Sequence, residues 1–141
     1  MYCMVLRGCL TGLAAACLFS CGSMAAPAAP LTHVVGEADA GTTVQARIGD
    51  AIEVKLVESF PLPGSSLLWD VSSSAPTVLA AGKVTRDPAE RPRIGQVAYT
   101  AEFSARGQGR AQLIARGSTT CEAMTKEGCP NRDFTITVDV S

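Results

Sequence analysis

The chain has 141 residues, a formal net charge of −1 and 18% charged residues. This length suits one domain with its own hydrophobic core. The near-neutral charge argues against a nucleic-acid partner and against a polybasic membrane contact, because both need an excess of basic residues.

The N-terminal residues 1–25 have the layout of a secretory signal. One basic residue, Arg7, precedes an apolar run that ends at Phe19, and small residues follow. The apolar run is too short to span a bilayer, which separates a signal from a membrane helix. We therefore predict an exported protein, either periplasmic or secreted.

Two forms of maturation fit this signal. Cleavage after Ala25 or Ala26 would release a soluble protein. Alternatively, Leu18-Phe19-Ser20-Cys21 resembles a bacterial lipobox, in which Cys21 would become a lipidated N-terminus and the only membrane contact. In both cases residues 26–32, which are rich in Ala and Pro, are predicted to form a linker, and residues 33–141 the folded domain.

Six later stretches alternate between apolar and polar residues with a period of two, which is typical of half-buried strands. They are Thr43–Ile48, Ile52–Leu56, Leu67–Ser72, Val97–Phe103, Ala111–Ala115 and Asp133–Val140. No segment after residue 27 has a sustained helical stripe. Short strands separated by turn-forming residues predict an all-β protein with two sheets packed face to face.

The inward face of these strands gives a set of residues that we expect to be buried. They are Leu56, Trp69, Val71, Tyr99, Phe103, Leu113, Phe134 and Ile136. Trp69 is the only tryptophan and lies in the middle of a strand. A large aromatic ring at such a position is typical of a core anchor.

Three irregular segments are longer than the other turns, namely Glu58–Ser66, Arg86–Gly95 and Gly117–Arg132. A sandwich collects its loops at two ends, and long loops on a rigid scaffold are where binding usually occurs. If the strands alternate in direction, these three loops could gather at the same end. The sequence therefore favours a binding surface built from loops.

The longest of these segments contains Cys121 and Cys129, the two cysteines that remain after the signal. Exported proteins are exposed to oxidising conditions, which favours a disulfide. A metal site would need two further ligands, and the only histidine, His33, is remote in sequence. A redox pair would more typically be C-x-x-C. We predict a disulfide that restricts one polar loop.

The sequence offers no constellation of catalytic type. Ser65, Ser73 and Ser118 lack the context of a nucleophile elbow, and a triad would have to recruit His33. The carboxylates of Glu58 and Asp70 are expected to face solvent, which does not suit acid–base catalysis. We expect a protein that is not an enzyme and that uses no cofactor or metal.

The stretch from His33 to Val140 resembles the chagasin family of exported inhibitors of papain-like cysteine peptidases. The likeness is clearest in Gly36–Ala46 and Ile48–Leu56, which are followed by a long loop and a tryptophan. The family's first loop reads Asn-Pro-Thr-Thr-Gly-Tyr-x-Trp, and this chain matches it at Pro63 and Trp69. The resemblance implies an immunoglobulin-like sandwich of about seven to eight strands.

The family's other two loop motifs are only partly retained here. Only Gly95 remains of a glycine pair that closes the second loop, and Arg116 remains of an Arg-Pro-Trp motif in the third. The resemblance implies three loops that occlude the cleft of a peptidase, presented by a monomer. The implied contact residues are Phe60, Leu62, Pro63, Gly64, Ser65, Ser66, Arg91, Arg93, Gly95, Arg116, Gly117 and Ser118.

Within this set, Phe60, Leu62 and Pro63 would supply an apolar tip, and the three arginines would supply charges around it. Because the loop motifs depart from the family pattern, a second interpretation stays open. The chain could be a non-inhibitory immunoglobulin-like module that binds another component of the cell envelope or serves in adhesion.

Overall fold

A computed structural model describes residues 28–121 and 131–141, together with Gly22. These residues form eight strands and one short 3-10 helix, Glu37–Asp39. The strands are β1 Thr32–Val35, β2 Thr43–Ala46, β3 Ala51–Phe60, β4 Ser66–Ser73, β5 Leu79–Asp87, β6 Gly95–Ala105, β7 Gly109–Thr120 and β8 Arg132–Val140. Within the described ranges no helix is long and apolar enough to cross a membrane.

The strands pack as two layers. One has the order β1-β3-β6-β5 and the other has the order β2-β8-β7-β4. The layers are joined where β3 turns into β4, through the registered pair Ser59 and Leu67. β1 and β2 run parallel to their neighbours, and the other pairs are antiparallel. The predicted all-β sandwich is confirmed.

The core lies between the two layers, where the inward-facing residues of both meet in one cluster. Seven of the eight residues that we expected in the core are buried, and Trp69 is only 3% exposed. Phe134 differs, because it is only partly buried at the margin of the cluster. Its ring meets the edge of Trp69 at a centroid distance of 5.6 Å and an angle of 72°.

The alternation pattern did not identify two of the strands, β1 and β5, and both lie at edges of the sandwich. β1 is four residues long, and β5 has a register shift between Ala81 and Val84. Most of β5 is exposed, so its residues do not alternate as those of the inner strands do. An exposed and bulged edge strand is a common protection against edge-to-edge pairing.

The end of the sandwich formed by the turns 47–50, 74–78 and 106–108 is called the base. Here the buried carboxylate of Asp50 accepts hydrogen bonds from the backbone N–H of Leu31 at 2.9 Å and of Arg47 at 3.0 Å. Nε2 of His33 lies 3.0 Å from Asp50 Oδ2. His33 therefore has a structural partner in the turn that precedes β3.

The contacts around Asp50 make the stability of the base depend on pH. The hydrogen bond from Leu31, followed by those from His33 and Arg47, lowers the pKa of Asp50 from 3.8 to about 2. Because the folded pKa is the lower one, this contribution is complete above 3.8 and is lost as the pH falls toward about 2.

We therefore expect Asp50→Asn to destabilise the protein at neutral pH and to matter progressively less below the ordinary carboxyl pKa. Urea denaturation of both proteins across the acid range measures the difference in unfolding free energy. A difference that stays constant down to pH ~2 would contradict this role for Asp50.

Candidate functional site

The strand register brings two long loops, and the strand ends that flank a third, to the end opposite the base. Residues 61–65, 88–94 and 121–131 are called loop 1, loop 2 and loop 3, and this end is called the loop end. Phe60 pairs with Gly95, so loop 1 begins beside the point where loop 2 finishes. Ser66 pairs with Thr120, so loop 1 finishes beside the start of loop 3. The prediction that the three loops share one end is confirmed for loops 1 and 2 and for the strand ends that flank loop 3.

Loop 1 contains an ordered turn. The N–H of Ser65 donates to the carbonyl of Leu62 at 3.0 Å, which closes a four-residue turn. Pro63 and Gly64 occupy the two central positions, and Gly64 has a φ of 82°. Proline followed by a residue with positive φ is the signature of a type II turn. The turn leaves Leu62 60% exposed at the tip.

Two residues predicted for loop 1 belong to strands instead. Phe60 is the last residue of β3 and is 8% exposed, and Ser66 is the first residue of β4. Phe60 continues the inward alternation of β3, so its ring faces the interior and not the tip. Ile94 of loop 2 is 59% exposed and lies next to Gly95. Among the described residues of the loop end, the exposed large apolar side chains are therefore Leu62 and Ile94, and Ile94 was not predicted from the sequence.

Loop 2 carries the two arginines predicted for it. Arg91 and Arg93 are both exposed. Gly95 lies at the start of β6 with a φ of 140°, in a region that side chains rarely adopt. The structure thus explains Gly95 by its backbone conformation at the exit of loop 2.

The predicted contact residues of the third loop lie in β7 and not in a loop. Arg116 pairs with Asp70 on the outer face, and Gly117 pairs with Trp69. A Cβ at Gly117 would lie 2.6 Å from the carbonyl oxygen of Arg132 and 2.9 Å from the Trp69 ring. Gly117 is thus a packing residue that makes room for Trp69. Ser118 is exposed and lies further along the same strand.

Cys121 follows the end of β7 and begins loop 3. Cys129 lies outside the described residues, as do residues 122–130 as a whole. The disulfide between Cys121 and Cys129 stays a prediction. The predicted signal segment and the lipidation at Cys21 also lie outside the described residues.

Glu58 does not face solvent, contrary to the expectation from sequence. It lies on the inward face of β3 and has 0% exposure. Arg86 of β5 donates to it through Nε at 3.0 Å and through Nη2 at 3.2 Å. The backbone N–H of Trp69 donates to Glu58 Oε1 at 3.1 Å. A buried carboxylate therefore has three donors just below the loop end.

One aromatic ring, that of Tyr99, lies against this ion pair. The Arg86 guanidinium carbon lies 5.0 Å from the centroid of the Tyr99 ring, which allows a cation–π contact. The indole N–H of Trp69 donates to the carbonyl of Val57 at 3.0 Å. The hydrogen bond to Glu58 raises the pKa of Arg86, and burial raises the pKa of Tyr99. The raised pKa values keep Arg86 charged and Tyr99 neutral near neutral pH, which suits a structural network.

The described residues contain no group of three or more His, Cys, Asp or Glu that could hold a metal ion. His33 lies at the base and the ion pair of Glu58 lies below the loop end, so the two are not combined in one site. In the described part of the loop end, loops 1 and 2 present the large apolar side chains of Leu62 and Ile94 together with two exposed arginines. Such an arrangement suits recognition of a protein surface.

Two solved structures are similar to this chain over most of its length. The crystal structure of the cysteine protease inhibitor EhICP2 from Entamoeba histolytica has 17% sequence identity and a TM-score of 0.56, and the match covers 79% of this chain and 96% of that one. The solution structure of amebosin has 17% identity and a TM-score of 0.53, with 81% and 100% covered. No protein-family model matches the sequence, and no curated protein matches it significantly. The chain thus has the immunoglobulin-like fold of the chagasin-type inhibitors, as its sequence predicts.

Proposed function

We propose that this protein is an exported inhibitor of papain-like cysteine peptidases, and that its loop end occludes the active-site cleft of the enzyme. The observation that carries the proposal is the register that brings loops 1 and 2 and the strand ends flanking loop 3 to one end of the sandwich. A fold shared with the cysteine protease inhibitor EhICP2 supports the same function.

Loop 1 is the central element of the proposed contact. Leu62 is the exposed apolar residue at its tip, and the hydrogen-bonded turn fixes the backbone beneath it. Because the turn is formed before binding, little conformational entropy is lost when the peptidase is bound. Ile94, Arg91 and Arg93 lie on loop 2, where they would contact the wall of the cleft and its polar rim.

The proposal is tested by titrating a papain-like enzyme with the purified protein and with two matched variants. Leu62→Asp places a charge at the tip and is expected to weaken inhibition by about tenfold or more. Ile48→Asp places the same charge in a turn of the base, at a residue that is 53% exposed against 60% for Leu62. This control is expected to inhibit as the wild type does.

Two results would contradict the proposed contact. Equal losses in both variants would show that the apolar tip of loop 1 has no special part in inhibition. If the wild-type protein did not inhibit any papain-like enzyme tested, the second interpretation would replace the first. The chain would then be a non-inhibitory immunoglobulin-like binding module of the envelope.

We also propose that export removes residues 1 to about 25 or lipidates Cys21, and that Cys121 and Cys129 are bonded. Protein recovered from the producing cell is expected to have an intact mass without Met1 and no thiol that reacts under denaturing conditions. A lipid increment on a chain that starts at Cys21 identifies the anchored form. A mass that includes Met1, or two reactive thiols, would contradict these assignments.

A further inference from the structure

We propose that the ion pair between Glu58 and Arg86 is a clamp that fixes loop 1 relative to loop 2. The clamp would hold the two loops in a binding-ready arrangement, and this consequence rests on the proposed inhibition. Glu58 precedes the end of β3 by two residues, and Arg86 precedes the end of β5 by one. Each therefore lies just before the strand enters its loop.

The pair spans a strand that lies between its two members. β6 separates β3 from β5 in the sheet, and Tyr99 of β6 is paired with Arg86. The guanidinium of Arg86 lies 5.0 Å from the Tyr99 centroid and also reaches Glu58 through two hydrogen bonds. The planar guanidinium fork fixes the direction of such a contact more closely than a single charge would.

A third contact extends the clamp to the other side of loop 1. Glu58 Oε1 also accepts the backbone N–H of Trp69, which lies on β4 in the opposite layer. One carboxylate thus contacts β4 and β5 while its own backbone belongs to β3. The strand before loop 1, the strand after it and the strand before loop 2 are held at a common point.

The burial of the carboxylate indicates a role in geometry, since Glu58 is 0% exposed while the Arg86 side chain is 32% exposed. Replacing a buried ion pair with apolar side chains is often neutral or stabilising, so such a pair is weak evidence for stability alone. The described part of the chain contains no buried side-chain nitrogen or oxygen without a hydrogen-bond partner. A fully satisfied polar network in a core favours one arrangement of the surrounding strands.

The test compares the wild type with Arg86→Lys, with the double variant Glu58→Gln/Arg86→Met and with the control Arg110→Met. Arg110 also forms a two-bond pair with a carboxylate, Asp139, but that pair lies near the base and is exposed. In the double variant no unpaired charge is buried, so the fold is expected to survive. Amide protection of the strands in each variant verifies this.

Two measurements are made on each folded variant: amide hydrogen exchange of loops 1 and 2, and inhibition of a papain-like enzyme. The double variant is expected to exchange the amides of both loops about tenfold faster, with the turn 106–108 unchanged. It is expected to inhibit about tenfold more weakly. Arg86→Lys should lie between it and the wild type, and Arg110→Met should match the wild type.

The outcomes separate the clamp from the proposed function. Unchanged loop exchange in the folded double variant would overturn the clamp, whatever the inhibition. Faster loop exchange with unchanged inhibition would overturn its consequence for binding. If the wild type failed to inhibit, the proposed function would fall, and hydrogen exchange alone would decide the clamp.

Discussion

Replacing Trp69 with alanine is expected to lower the free energy of unfolding by about 3–5 kcal/mol. The ring is 3% exposed and packs against the edge of Phe134. It also lies so close to Gly117 that a Cβ there would be 2.9 Å from the ring. Because β4 and β7 are held together by their backbone hydrogen bonds, the cavity left by the indole cannot close easily. Urea denaturation of the two proteins measures the loss.

A second variant distinguishes the contribution of the indole's volume to stability from the contribution of its hydrogen bond. Trp69→Phe keeps an aromatic ring but removes the N–H that donates to Val57. We expect a smaller loss than for alanine, because most of the apolar volume remains. A loss of less than about 1 kcal/mol for Trp69→Ala would show that Trp69 is not the anchor of the core.

Replacing Arg86 with methionine is expected to lower the free energy of unfolding by about 3–5 kcal/mol at neutral pH. The reason is that Glu58, with 0% exposure, would be left in the core without its charged partner. Methionine keeps much of the length of the arginine stem, so the loss reports mainly on the charge. Chemical denaturation at neutral pH gives the value.

Arg110→Met is the matched control for this prediction. Its ion pair with Asp139 is exposed, and exposed pairs contribute roughly 0–1 kcal/mol. Adding Glu58→Gln to Arg86→Met is expected to recover part of the loss, since the unpaired charge is then removed. Equal effects of Arg86→Met and Arg110→Met would contradict a buried and paired Glu58.

The inner strands could be predicted because a strand with one buried face alternates between apolar and polar residues in its sequence. Ile52, Val54 and Leu56 alternate with polar neighbours, and all three are buried. The edge strand β5 has no such alternation, because most of its residues are exposed. Alternation therefore identifies strands with one buried face, including the edge strand β2, and fails for a strand such as β5 that is largely exposed.

The positions of the predicted contact residues in the fold could be predicted only in part. Loops 1 and 2 meet at one end as expected, but Phe60 and Gly117 lie buried in strands β3 and β7 and not in the loops. The alternation of β3 could have indicated both Phe60 and Glu58 as inward-facing, since they share the parity of Leu56. The partner of Glu58 could not have been predicted, because Arg86 lies in β5, a strand that the sequence does not mark by alternating apolar and polar residues.

The central claim is that the loop end binds a papain-like peptidase. Amide hydrogen exchange of this protein, measured alone and with an excess of such an enzyme, tests it most directly. We expect slower exchange in loop 1, in loop 2 and around Cys121, and unchanged exchange in the base turns 47–50 and 106–108. Protection confined to the base or to the outer face of a sheet, or no protection in any segment, would contradict the account.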